Sequence, residues 1–336
     1  MKRYPIIIIL FIISFILGGM LAVSAWSSGA ISAQSPETIS LLTGTNPQSR
    51  LSGGTCDGAL TIDSVDPYDA AKAIDLCDSS VLTATWVMAN GDPAVNDPDY
   101  DLGHGILPAF GTNVTVQNGA KMLALSSGTA RQPSDPGYLP VSPGFDKGYL
   151  GNHPPAFPLA PLNCGGACPT TNTPHDDAAL ELSLQVPANA DGYLFNYKFY
   201  TTDYPALTCS AFNDLFITLV DPPPAGSIFG NVVLDSQGEP ITVNSDESIQ
   251  VCGSPQDCYS CALGSSELLD TGFEGHGATP WQTVAVQAAP GSIIRIRFAI
   301  YDSGDGTFDA TVLIDNFRWS YIDFESYIPV ALSQSQ

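Results

Sequence analysis

Residues 298–319, FAIYDSGDGTFDATVLIDNFRW, place a loop carrying Asp302, Asp305 and Asp309 between two runs of β-branched and aromatic residues. The flanking runs, Ile293 to Tyr301 and Thr311 to Trp319, are bounded by Gly, Ser and Asp, which predicts two strands joined by a loop. Upstream, the same kind of signal recurs over Val81 to Met88, Leu180 to Val186, Tyr193 to Tyr200, Phe212 to Val220, Asn231 to Leu234, Ile241 to Asn244 and Gln282 to Val286. Val114 to Gln117 and Lys121 to Leu125 flank Asn118-Gly119, a dipeptide suited to a hairpin turn. Ser236 to Pro240 predicts a turn between two of the later runs. About ten short strands without alternating helices indicate an all-β protein, an antiparallel jelly-roll-like β-sandwich.

One short helix is expected near the N-terminal side of this domain. Asp66 offers an N-cap, Pro67 suits the first helical position, and Tyr68 to Ile74 contains good helix formers, ending near Cys77. Gly128 to Asp176 is dense in Pro and Gly and predicts a long loop. Loops of that length are functional, disordered or cross-linked. Its aromatics Tyr138, Phe145, Tyr149 and Phe157 either pin the loop to the sandwich or face a ligand.

The chain begins with Lys2 and Arg3 followed by an uncharged apolar run, the layout of a secretory signal peptide. Small-x-small patterns at Val23-Ser24-Ala25 and Ile31-Ser32-Ala33 offer cleavage sites, and the second places the leader at residues 1–33. Uncleaved, the run has the roughly 20 residues needed to span a bilayer, so a membrane contact is expected only through this segment. Residues 34–54 predict a flexible linker, 55–322 the β-sandwich, and 323–336 a tail containing the apolar stretch Tyr327 to Leu332. Export implies an extracellular or cell-surface location.

A net charge of −23, from 34 acidic and 11 basic residues, excludes a nucleic-acid partner, because phosphate binding requires clustered Lys and Arg. Only seven of the acids are glutamate. The aspartates sit beside Gly, Pro, Asn and Ser, as in turns and metal loops. Eight cysteines in an exported chain predict disulfides, each contributing about 2 to 4 kcal/mol. Proximity pairs Cys56 with Cys77 and groups Cys252, Cys258 and Cys261, leaving Cys164, Cys168 and Cys209 to share the remaining bonds. The spacings Cys164 to Cys168 and Cys258 to Cys261 also suit zinc.

Calcium takes six to eight oxygen ligands. Asp302, Asp305 and Asp309, separated by flexible glycines, form one candidate calcium site, to which Asp315 on the next strand belongs unless it marks another. Asp203, Asn213 and Asp214 form a second candidate set. The alternative for both is that the side chains cap turns. The loop lacks the ligand spacing and terminal Glu of an EF-hand. His104, His153, His175 and His276 occupy turn-like contexts without metal-binding spacing, and no nucleophile elbow or phosphate loop is present.

Phe199 to Pro205, followed by Cys209 and Phe212 to Phe216, resembles the signature of choice-of-anchor L domains of exported bacterial proteins. His104 to Pro108, Leu123 to Ala130 and Thr311 to Trp319 are similar to further segments of longer members. The resemblance spans Cys56 to Trp319 and implies an extracellular setting. The sequence after Trp319 departs from the pattern in lacking a long apolar helix, a basic stop and an LPxTG motif.

Together these features point to a noncatalytic exported β-sandwich, acting in adhesion or ligand binding on a cell-surface or matrix component, with calcium fixing its loops. A carbohydrate-binding module is the alternative; it would present Trp281, Tyr301 or Tyr138 to a polysaccharide, since sugar rings stack on aromatic faces. Trp86 and Trp319, within apolar runs, are expected in the core. A secreted hydrolase is a third reading and would require acids or histidines converging in one pocket.

Overall fold

The computed structural model describes residues 56–155, 157, 162–170, 173–256 and 258–321. The leader and its cleavage sites, the linker at residues 34–54 and the tail at 323–336 lie outside the described residues. Among the described residues, no helix is long and apolar enough to cross a membrane.

Helix α1 (Pro67–Ala73) starts as its sequence dictates. The Asp66 carboxylate accepts a hydrogen bond from the Tyr68 amide at 2.9 Å, and Pro67 occupies the position where no amide donor is needed. Its buried face consists of Ala70, Ala71 and Ala73. The strands are β1 (Val81–Val87), β2 (His104–Leu107), β3 (Ala109–Phe110), β4 (Val114–Thr115), β5 (Met122–Ser126), β6 (Leu162–Asn163), β7 (Gly166–Ala167) and β8 (Pro174–Gln185). They continue with β9 (Ala190–Thr201), β10 (Leu215–Asp221), β11 (Ile241–Thr242), β12 (Val251–Cys252), β13 (Gly277–Ala278), β14 (Gln282–Gln287), β15 (Ile293–Ser303) and β16 (Ala310–Tyr321).

Two main antiparallel sheets result, and β3–β4 and β6–β7 form separate two-stranded ribbons. One has the order β1-β8-β15-β10-β11; the other has β12-β13-β9-β16-β5-β2, with β14 also paired to β9. Alternation decides which side chains meet between them, because successive residues of a strand point to opposite faces. Leu180, Leu182 and Leu184 of β8 and Ile294, Ile296, Phe298 and Ile300 of β15 belong to the same core as Phe195, Tyr197 and Phe199 of β9 and Val312 and Ile314 of β16. Phe195 and Phe298 meet edge to face at 5.2 Å. Each such side chain contributes about 1.5 to 3 kcal/mol on burial.

The intervening residues are also covered over part of each outer face. Tyr200, Ala124 and Leu313 pack with Phe110, Val114 and Phe273 on one side. Leu215, Ile217, Ala299 and Tyr301 pack with Phe157 on the other. The long Pro/Gly-rich segment thus lays at least one of its aromatics, Phe157, onto the sandwich. Trp319 lies in the core as expected, whereas Trp86 is half-buried at its edge and stacks on His104 at 3.9 Å.

The expected Asn118-Gly119 hairpin does not form. β4 pairs with β3, and β5 pairs with β2 and β16. The amides that such a hairpin would pair are taken by carboxylates: Gln117 and Asn118 donate to Asp315, and Ala120 and Lys121 donate to Asp57. Asn231 to Leu234 makes isolated bridges rather than a strand, because the Asn231 side chain itself accepts from the Thr218 and Val233 amides.

The disulfides are Cys56–Cys77, Cys164–Cys258, Cys168–Cys209 and Cys252–Cys261. The first forms as expected. The local cluster is divided, because the β6–β7 ribbon brings Cys164 to Cys258: Asn163 donates to the Tyr259 hydroxyl at 2.6 Å, and the Cys164 amide donates to Asp246 at 2.8 Å. With every cysteine oxidised, the zinc reading is overturned.

Replacing Phe298, fully buried between the sheets, with Ala is expected to lower stability by about 3 to 5 kcal/mol. Ile293→Ala, at an exposed position of the same strand, should change it by no more than about 0.5 kcal/mol. Urea unfolding of the oxidised protein compares the two, and equal effects would refute this assignment of faces.

Candidate metal centre

β8 begins, β9 ends, β10 begins, β15 ends and β16 begins at one end of the sandwich, as the pairings Leu215 with Tyr301, Asp302 with His175 and Ala310 with Thr201 require. The segments leaving these strands carry the predicted aspartates. Asp203 follows β9, Asp214 precedes β10 and Asp302 lies within the last residues of β15. All three are almost completely buried.

Their arrangement is held by the backbone. The Asn213 amide donates to the Ser303 carbonyl at 3.0 Å, fixing the entrance of β10 against the end of β15. The Asp203 carbonyl accepts from the Leu207 amide at 2.7 Å, closing the turn that leads to Cys209. The Asp203 carboxylate accepts from the Asp214 amide at 3.4 Å, and Thr201 donates its hydroxyl to Asp214 at 3.4 Å. The carboxyls of Asp214 and Asp302 face one another within hydrogen-bonding reach, and Asp214 Oδ1 and Asp302 Oδ2 are buried with no donor outside the pair. An unsatisfied buried carboxylate oxygen is costly unless a proton or a cation compensates it.

Burial pushes Asp214 and Asp302 well above the ordinary carboxylate range, and the neighbouring carboxylates add to the shift. Burial likewise raises Asp203 to about 7, with the charge of Asp305 contributing. Asp305 is half-buried, and its carboxylate accepts from the Thr307 amide and hydroxyl, both at 3.0 Å. Asn213 lies beside the group, its side-chain oxygen accepting from Asn244 at 3.0 Å.

Asp309 and Asp315 are directed elsewhere. Asp309 accepts from the Phe145 amide at 3.1 Å, and burial raises it to about 7 despite the opposing charge of Lys147. The Lys147 ammonium donates to the Ser126 carbonyl at 3.1 Å in an environment that also includes Asp176 and Asp177. This lysine and these two acids were not singled out by sequence reasoning, since nothing local marks a lysine as buried. Close packing completes the neighbourhood: a Cβ on Gly306 would lie 2.9 Å from carboxylate oxygens of both Asp146 and Asp176. Asp315 instead contacts residues beside α1.

The expected set therefore separates into a compact Asp203–Asp214–Asp302 group with Asp305 and Asn213 at its margin, a distinct position for Asp309, and a remote one for Asp315. Among the described residues, the only group with three ligand atoms mutually within 4.8 Å is Cys164, Asp246 and Cys258. Two of those atoms are joined in a disulfide, which removes them as metal ligands. A cation at the aspartates would accordingly rest on the facing Asp214–Asp302 pair, completed by other oxygens.

The other candidate features are dispersed. Burial lowers His104 to about 3, leaving it neutral at physiological pH. The His276 ring meets the Tyr204 carbonyl at 3.0 Å, and the His153 ring lies against Tyr301. Tyr301 is fully buried on one outer face, whereas Trp281 and Tyr138 are half-buried on the other. The suggested aromatic platform is therefore corrected: these three side chains do not share a surface.

No protein-family model and no curated protein matches the chain. Solved structures similar to it include a carbohydrate-binding module specific for non-crystalline cellulose, with 12% identity, coverage of 73% of this chain and 97% of that one, and a TM-score of 0.29. A mannan-recognising carbohydrate-binding module has 11% identity, coverage of 72% and 99%, and a TM-score of 0.26. A cleaved adhesin domain of Lys-gingipain from Porphyromonas gingivalis has 11% identity, coverage of 72% and 99%, and a TM-score of 0.27. Superpositions this loose assign no role to any residue of the present chain.

Because the folded values of Asp203 and Asp309 lie above their ordinary 3.8, their protonated forms favour the fold, and that contribution is lost as pH rises through about 7. The melting temperature of chelator-treated protein should fall as pH rises from about 4 to about 7 and level off above. Calcium should restore it at the upper end and have little effect at the lower. A flat profile in chelator would exclude these carboxyls as the controlling groups.

Proposed function

We propose that the protein acts outside the cell as a noncatalytic β-sandwich that adheres to or binds a cell-surface or matrix component, with calcium fixing the loops at one end. The observation carrying this reading is the facing pair of buried carboxyls, Asp214 and Asp302, whose Oδ1 and Oδ2 have no donor outside the pair, where three segments meet. A hard divalent cation supplies what that pair lacks, and an all-oxygen environment favours calcium.

The cross-links support the setting. Four disulfides belong in an oxidising compartment, and Cys168–Cys209 ties the long Pro/Gly-rich segment to the loop containing Asp203 and Asp214. Fixing those loops lowers the ordering cost of binding a partner. The resemblance to choice-of-anchor L domains agrees with an exported, surface-associated protein. Polysaccharide is included as a ligand class of cell surfaces and matrices.

The full oxidised chain should bind a panel of cell-surface and matrix polysaccharides and proteins more strongly in calcium than in chelator. Asp214→Asn, which retains size and an acceptor while removing charge, should lose one bound calcium and the calcium-dependent part of binding. Binding that is equal in calcium, in chelator and in this variant would refute the proposed role of the ion.

A further inference from the structure

β14 pairs with β9 along its whole length, from Gln282 with Tyr197 to Gln287 with Gly192, and no strand lies on its other side. The ladder continues one residue further, where the Ala288 amide donates to the Asp191 carbonyl at 2.9 Å. In an antiparallel ladder the residues that bond to the partner alternate. The backbone groups of Val284 and Val286 are therefore turned toward β9, and those of Thr283, Ala285 and Gln287 toward the open edge. These three residues are exposed, and among the described residues no other segment bonds their backbone. Other sheet edges are guarded. The Ile106 amide of β2 donates to the Ile62 carbonyl, the Cys252 amide of β12 donates to the Gly264 carbonyl, and the pairing of β1 is interrupted near Val81. β14 has no such cover, no interruption, no proline and no charged side chain, the devices that keep an edge from recruiting another strand.

Two clefts meet at this edge. One, of about 400 Å³, separates Ala285, Val286 and Gln287 from the turn Pro224 to Ser227. The other, of about 730 Å³, lies along Asp191 to Leu194 and Ala285 to Pro290 and reaches Ser320 of β16. Ser320 stands opposite Gly192 on one side of β9, as Gln287 does on the other. The described chain leaves β16 at Tyr321, one residue beyond that point and beside the larger cleft. β14 and β16 both run antiparallel to β9 and hence parallel to each other. A chain that leaves the end of β16 and turns back along the free edge of β14 therefore runs antiparallel to it.

We propose that Tyr327 to Leu332 of the C-terminal tail docks on this edge as an added antiparallel strand of the same sheet. Its sequence, Tyr-Ile-Pro-Val-Ala-Leu, is uncharged and apolar. Pro329 fixes the register. Proline has no amide hydrogen and is accepted in an edge strand only where its nitrogen faces away from the partner. Ile328, Val330 and Leu332 accordingly turn their backbone groups to β14 and pair with Gln287, Ala285 and Thr283. The path from Tyr321 to Ile328 crosses three strand spacings, about 14 Å, which is within the reach of about 23 Å that the intervening chain has when extended. Tyr327, Pro329 and Ala331 share the face of Val286, a core residue, and bring apolar groups to the cleft at Pro224 to Ser227. Tethering selects the chain's own tail over a second copy, because a short linker holds it at an effective concentration of the order of millimolar. The docked tail closes an edge that would otherwise accept a strand from another chain. None of this involves the aspartates, so the inference is independent of the calcium reading.

Hydrogen exchange of the full oxidised chain, read amide by amide, tests this. The Thr283, Ala285 and Gln287 amides should be protected in the wild type. Val330→Pro, which removes a donor turned to β14, should speed their exchange at least tenfold. Ala331→Pro, whose nitrogen faces away from β14, should leave them protected. The Val284 and Val286 amides, bonded to β9, should stay slow in both variants and show that the sandwich persists. Fast exchange at Thr283, Ala285 and Gln287 in the wild type, or equal effects of the two proline variants, overturns the inference. Should Val330→Pro also expose Val284 and Val286, Val330→Asp decides, and unchanged protection of the three edge amides there overturns it. Protection that grows with protein concentration alongside a dimer in sedimentation assigns the edge to a second copy and overturns docking of the chain's own tail.

Discussion

Burial of carboxyl groups without enough lysine or arginine to match them is the constraint on which the loop-bearing end of this structure depends. A charge removed from water requires donors, a counter-charge or a proton. The protein meets that requirement largely with backbone amides. Asp309 takes Phe145, Asp176 takes Lys147 and Tyr149, and Asp177 takes Ala89. Each bond ties one segment to another, so loops with little regular secondary structure acquire fixed positions relative to the strand ends. The side chain of Lys147, buried beside three of these acids, is the principal positive charge in that network. The Asp214–Asp302 pair lies outside its direct bonding, and Asp214 Oδ1 and Asp302 Oδ2 have no donor outside the pair.

The β-ladders make this arrangement possible. β9, β15 and β16 are long and central, and their inward residues form one continuous apolar core. The geometry of their ends is therefore set by packing elsewhere, and the aspartates beyond them inherit it. Disulfides extend that control to segments the ladders do not reach. Cys164–Cys258 and Cys168–Cys209 fasten both ends of the β6–β7 ribbon, while Cys252–Cys261 closes a loop beside β12. The apolar outer clusters under Phe110, Phe273 and Phe157 do the same by burial rather than by covalent linkage.

The strands were legible because their residue types and alternation reflect packing against a sheet, as in Leu180 to Val186 and Ile293 to Tyr301. The helix was legible because Asp66 and Pro67 act within one turn. Features decided by distant residues were not. Asn118-Gly119 has the local chemistry of a hairpin, yet Asp57 and Asp315 take the flanking amides. Tyr301 alternates as an outward residue of β15, but a different segment covers it with Phe157. Asp302, Asp305 and Asp309 are close in sequence, while the chain between them turns Asp309 toward Phe145. Asp57 and Asp75 each resemble ordinary turn residues, and only their flanking cysteines hinted that they share a neighbourhood.

The contrast between the two ends of α1 shows how the same residue type serves different physical tasks. Asp66 faces a free amide at the helix start and is satisfied by one local hydrogen bond. Asp75, just beyond the helix, is carried by the Cys56–Cys77 linkage and the Ile74–Phe317 bond toward Asp57 and Asp315, where burial raises its proton affinity and the nearby Asp57 charge adds to the effect. Asp315 responds in the same direction, rising to about 7 chiefly through burial. A helix-cap aspartate is complete within its own turn. An aspartate drawn into a buried carboxyl group is incomplete until a proton or cation joins it, so this edge of the sandwich is sensitive to the composition of the surrounding medium in a way that the apolar core is not.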